Sequence, residues 1–151
     1  MTTPVATRRS GEIDWRAAVK AGIAYTAGVF VFAFAAGAIR VTVVAPHLGA
    51  LLAVVLEAPI VLAVSWGFSA WCSRRFQLSA DSLTRVLMGA VAFSVLMGLE
   101  AGVSVWAFGE SLERYVANYG TAAGVVGLMM QLCFAAIPWV QSELNSGVGR
   151  S

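Results

Sequence analysis

The chain has 151 residues, 59% hydrophobic and only 12% charged, with a net charge of +2 and a mean hydropathy of +0.79. Soluble domains carry about 25% charged residues, so this composition excludes an ordinary soluble domain and points to insertion in a lipid bilayer. The small positive balance reflects where basic residues stand relative to the membrane, so no nucleic acid is expected as a partner.

Residues 21–39, 58–73, 86–99 and 115–142 contain no Asp, Glu, Lys or Arg. A helix needs about 20 apolar residues to cross a hydrocarbon core about 30 Å thick. Four spans are therefore expected, at 18–39, 50–72, 86–108 and 121–140, between an N-terminal tail at 1–17 and a C-terminal tail at 141–151. The predicted fold class is all-α, an integral membrane four-helix bundle. Its connections are too short to hold a soluble catalytic domain.

One side collects Arg8, Arg9, Arg16, Lys20, Arg74, Arg75, Arg85 and Arg150; only Arg40 and Arg114 fall on the other. Eight against two places both termini in the cytoplasm by the positive-inside rule. Trp15, Trp71 and Trp139 at one level, and Trp106, Tyr115 and Tyr119 at the other, suit the two headgroup belts. An alternative reading makes the first run a cleaved signal closing on Ala36-Gly37-Ala38. Against it, the run exceeds the usual core of about 7 to 15 residues, and Ser10-Gly11-Glu12 after the paired arginines is a poor match to a twin-arginine signal.

The first span ends at Arg40, and Val44-Ala45-Pro46-His47-Leu48-Gly49 predicts a tight turn that folds spans one and two into a hairpin. The second span carries Glu57 beside Pro59. That proline cannot donate to the carbonyl of Val55, so it predicts a helix kink where Glu57 projects. Ser79-Ala80-Asp81-Ser82 offers N-caps for the third span. In that span Gly98 and Gly102 form a GxxxG pair around Glu100, and Gly120 and Gly124 form another at the start of span four. Such pairs allow close helix packing, within one bundle or between copies. Residues 109–120, with Glu110, Glu113 and Arg114, predict a short surface helix. Gln131 is expected to crosslink span four through its amide, and His47 to cap or hydrogen-bond in the first loop.

A charge at a helix centre costs about 2.5 to 3.5 kcal/mol on insertion scales, so Arg40, Glu57 and Glu100 are the candidate site. A rise of about 1.5 Å per residue sets Glu57 roughly 10 Å and Glu100 roughly 12 Å below the same surface. Arg40 ends span one on that side. The expectation is a buried Arg/Glu cluster, serving as a lock between helices, a proton or cation site, or a contact for a partner subunit. Glu100 has a further option, as a neutral acid bonded to a carbonyl or to Ser104.

Absences narrow the chemistry. His47 is the only histidine, so paired haem ligation and a His-rich metal site are not expected. Cys72 and Cys133 form no C-x-x-C, and no phosphate-loop, zinc-protease or nucleophile-elbow motif occurs. The expectation is a non-enzymatic membrane component or accessory subunit, without cofactor or metal, in a possible homo-oligomer or larger membrane complex. The alternative is an oligomeric proton- or cation-coupled transporter or channel using Glu57 and Glu100. A lipid-modifying membrane enzyme would lack a nucleophile or metal set.

The stretches Ala38-Ile39-Arg40-Val41, Ala45-Pro46-His47-Leu48-Gly49, Leu56-Glu57-Ala58-Pro59 and Trp106-Ala107-Phe108-Gly109-Glu110-Ser111-Leu112 resemble an uncharacterised family of small four-span bacterial inner-membrane proteins. The resemblance covers roughly residues 20–138. It implies a multi-pass protein of the bacterial inner membrane and carries no activity. Small multidrug transporters look similar in plan, but their essential glutamate lies in the first helix, where this chain has none.

Overall fold

The computed structural model describes residues 14–148. Arg8, Arg9 and Arg150, which support the expected orientation, lie outside the described residues.

Four long helices make the fold, and no strand occurs among the described residues. Helix α1 (Trp15–Ile39) begins at Asp14, whose carboxylate accepts from the Ala17 N–H at 3.1 Å. It does not end in a loop at residue 44, as the proline suggests. The chain continues through a π-helical turn, Arg40–Val44, into a short helix α2 (Ala45–Leu48). Pro46 stands in the first turn of α2, directly after the N–H of Ala45 that closes the π turn on Arg40. Reversal is left to Gly49, at φ +79°, a conformation that favours glycine.

Helix α3 (Ala50–Arg75) runs without interruption through Pro59. Helix α4 (Ser82–Gly102) is capped by Asp81, which accepts from the Thr84 N–H at 3.0 Å. It too passes into a π turn, Val103–Ala107. The surface helix expected after it is α5 (Leu112–Asn118), capped by Ser111. Helix α6 (Ala122–Val148) includes most of the segment expected as a C-terminal tail. Each helix outlasts its apolar run because polar residues extend a hydrogen-bonded ladder into the headgroup region as readily as apolar ones do. With four helices long and apolar enough to cross a bilayer, the molecule is an all-α four-helix membrane bundle.

Around the bundle the helices follow the order α1, α4, α6, α3, each packed on two neighbours. The link from α3 to α4 therefore crosses a diagonal. Leu78 on that link is buried among Ala18, Ala21, Tyr25, Cys72 and Met88, so the crossing strap closes the end of the bundle that carries Trp15 and residue 148, here the terminal end. Arg85 holds the strap, its guanidinium donating to the carbonyls of Ser79 and Leu78 and to the Ser73 hydroxyl.

The terminal half is packed with small and hydroxyl residues, as membrane interfaces require when lipid offers no hydrophobic drive. Thr26 donates to the Ala92 carbonyl at 2.9 Å, joining α1 to α4. Ser69 donates to Gln141 at 2.8 Å and Gln141 to the Trp66 carbonyl at 2.9 Å, joining α3 to α6. Pro138, fully buried inside α6, cannot donate to the Phe134 carbonyl four residues earlier. The Tyr25 hydroxyl donates to that carbonyl instead, at 3.0 Å, with its ring stacked on Phe134. A bond broken in α6 is thus remade from α1.

Close approach depends on glycines outside the expected pairs. A Cβ on Gly89 would stand 2.0 Å from the Ala135 carbonyl oxygen, and one on Gly22 would stand 2.8 Å from that of Met88. Gly98 faces open space, and Gly102 meets only Trp106 of its own helix segment. The GxxxG pair on α4 is therefore not a contact within this chain: its face turns outward. Gly124 does serve a close approach, to the Asn118 carbonyl at 2.0 Å from an added Cβ, but in the turn from α5 into α6 rather than between spans; a Cβ added to Gly120 would stand 3.2 Å from the Ala117 carbonyl oxygen in the same turn.

Candidate functional site

The distal half, opposite the terminal end, is open. Apart from Ala53 and Val54, the buried residues of the spans lie in the terminal half or close to mid-bundle. Above them the helices enclose a cavity of about 1460 Å³. Val29, Leu96 and Phe134, all buried, line it next to the packed core and form its floor. Phe30, Phe34 and Leu51 are among its apolar walls, and Arg40, Glu57 and Glu100 line it together.

Arg40 reaches Glu57, with Nε 2.5 Å from Oε2. Its N–H is directed off that line, so Nε has no hydrogen bond and the contact is an ion pair. The side chains are 29% and 16% exposed, so the pair is half-buried and partly screened. The expectation of a buried three-residue cluster is corrected in this respect. All three charged groups sit on a cavity wall, where a long stem and an open space spare them full desolvation.

Glu100 finds a different partner from those expected. Gln131 donates its amide to the Glu100 carboxylate at 2.5 Å, tying α6 to α4, and the Gln131 Oε1 is buried without a partner. Ser104, expected as an alternative partner, donates to Glu110 at 2.6 Å, while the Glu110 N–H returns to the Ser104 carbonyl at 3.0 Å. That reciprocal pair clamps the rim loop onto the π turn. Both π turns contribute to the cavity wall, through Arg40, Val41 and Thr42 on one side and Val103 and Ser104 on the other. Such turns often occur at functional sites.

Helix α5 leans over the same opening. Tyr115 and Tyr119 share a hydroxyl contact of 2.6 Å, and Tyr119 reaches the Met97 sulfur at 3.8 Å. Burial, with Tyr119 beside it, holds the Tyr115 phenol well above its ordinary range. Among the described residues no three His, Cys, Asp or Glu side chains converge as metal ligands. His47 is exposed at the rim.

Sequence reasoning did not find the replacement of the Pro138 donor by Tyr25, whose bond to the Phe134 carbonyl spans 109 positions, and it named Tyr115 and Tyr119 as headgroup anchors without their mutual contact. Aromatic spacing of four residues in a short amphipathic helix was the available signal for the latter.

A multi-pass membrane bundle, closed at one end and carrying a charged vestibule at the other, is the class defined by this architecture. No protein-family model matches the chain, and comparison with curated proteins and with solved structures finds no match. The family resemblance is accordingly not confirmed.

Proposed function

We propose that the protein is a non-enzymatic membrane component, of accessory-subunit type, whose distal vestibule receives a transmembrane segment bearing a basic side chain. The observation that carries this reading is the one-ended cavity with an unpaired acid on its wall. Arg40 already neutralises Glu57, whereas Glu100 is held by a neutral amide and has no basic side chain within ion-pair distance among the described residues. A lysine or arginine entering from a partner would complete it.

Size supports the same occupant. A cylinder about 10 Å wide, the girth of a slender helix, would fill 1460 Å³ over about 19 Å, or three to four turns. The floor of Val29, Leu96 and Phe134 supports binding rather than conduction. A location in a bacterial inner membrane with both termini cytoplasmic belongs to this proposal, as does assembly into a larger complex.

Extraction in a mild detergent followed by native mass measurement tests it. The expected result is a companion protein that Glu100→Gln releases without loss of folded chain. A lone, stable species in several detergents overturns it. The second reading, an oligomeric proton- or cation-coupled transporter, is favoured by Glu57 and Glu100 sharing one cavity. It requires that Glu57→Gln abolish flux into liposomes while expression is unchanged.

A further inference from the structure

We propose a second, separate site at the terminal end: a recess between α3, α4 and α6 that binds the phosphate of an anionic phospholipid headgroup. The recess has a volume of about 490 Å³ and is lined by Arg74 and Arg85 with no acidic residue. Gln141 and Asn145 add amides, and Trp66 and Leu144 supply an apolar wall.

Arg85 is half-buried, yet its partners are two carbonyls and a hydroxyl. No carboxylate lies within ion-pair distance of it among the described residues. Three of its five N–H groups are occupied, so two remain for a ligand. Its charge is left uncompensated in a low-dielectric setting, which an anion relieves. Arg74, in the last turn of α3, is exposed and its guanidinium makes no hydrogen bond among the described residues, so it is free to close on the same anion.

The vertical arrangement separates a lipid from a soluble ligand. Trp66 lies eight residues from Arg74 along α3, about 12 Å deeper, and both Trp66 and Leu144 are exposed on the lipid side. Arginines at headgroup depth above an exposed apolar wall match a phosphate with acyl chains beneath it. Basic pockets between spans take anionic headgroups on this principle.

The test uses the full chain purified in mild detergent, with phosphatidylglycerol or phosphatidylcholine of identical chains added and bound lipid counted by native mass spectrometry. Arg74→Gln should lower phosphatidylglycerol occupancy about fivefold, the effect of one basic residue near a membrane surface. Arg75→Gln, an equal charge change outside the recess, should leave it unchanged, and phosphatidylcholine should be retained less than phosphatidylglycerol. Equal loss in the two variants would reduce the effect to diffuse surface charge and overturn the site. Equal retention of the two lipids would also overturn it. Saturation by inorganic phosphate with no retained lipid would assign the recess to a soluble phosphate ester and refute the lipid.

Discussion

Replacing Gly89 by alanine tests the packing of α4 on α6 directly. The added methyl would stand 2.0 Å from the Ala135 carbonyl oxygen and 3.1 Å from its carbon. Carbon and oxygen settle at about 3.3 to 3.6 Å in favourable contacts, so the helices must part by more than about 1 Å. The obstacle is backbone, which cannot swing aside as a side chain can. Overpacking of this kind costs about 1 to 3 kcal/mol, against a gain of up to about 1 kcal/mol in helix propensity. At Gly98 the same substitution meets nothing within 4 Å and keeps only the gain. The two variants should differ by roughly 2 kcal/mol, or about 4 to 8 °C in Tm for a chain of this size. Circular dichroism during thermal unfolding in one detergent measures both. Equal midpoints, or a more stable Gly89→Ala, would refute the assigned contact.

Tyr25→Phe should destabilise the bundle by about 1 kcal/mol, because the Phe134 carbonyl loses its donor. In a Pro138→Ala background the restored N–H should cut that cost, and a double-mutant cycle measures the coupling. For Arg40 and Glu57 the cycle should give about 1 kcal/mol, the upper end of the range for exposed pairs because this one is partly buried, measured from unfolding of Arg40→Gln, Glu57→Gln and the double variant. Cys133 is exposed and Cys72 buried, so in detergent N-ethylmaleimide should modify Cys133 first. Mass spectrometry of the Cys133→Ser chain should then show slow labelling.

The four spans are legible in the sequence because charge-free runs of membrane length have few other physical explanations. Depth counting also brought Arg40 and Glu57 into plausible reach, since height along a helix accumulates linearly with residue number. It could not say which way Glu100 faces. Rotation about the axis decides that, and it turns Glu100 toward Gln131 of α6. GxxxG spacing is a pattern within one helix, whereas Gly22 and Gly89 matter because of what another helix places against them. Pro138 is silent for the same reason: the donor that replaces its bond comes from the far end of the chain.

The two π turns have a consequence for descent. In each the closing N–H reaches the carbonyl five residues back, from Ala45 to Arg40 and from Phe108 to Val103, so each turn holds one residue more than an α turn. Loss of a residue from 41–44 can be absorbed by reverting to the ordinary ladder, with α1 below left in place. The same loss between Ala18 and Val29 would rotate Tyr25 and Thr26 away from their acceptors in α6 and α4. Length variation in the lineage of this protein should therefore gather at the distal rim, leaving the terminal half constant in residue count.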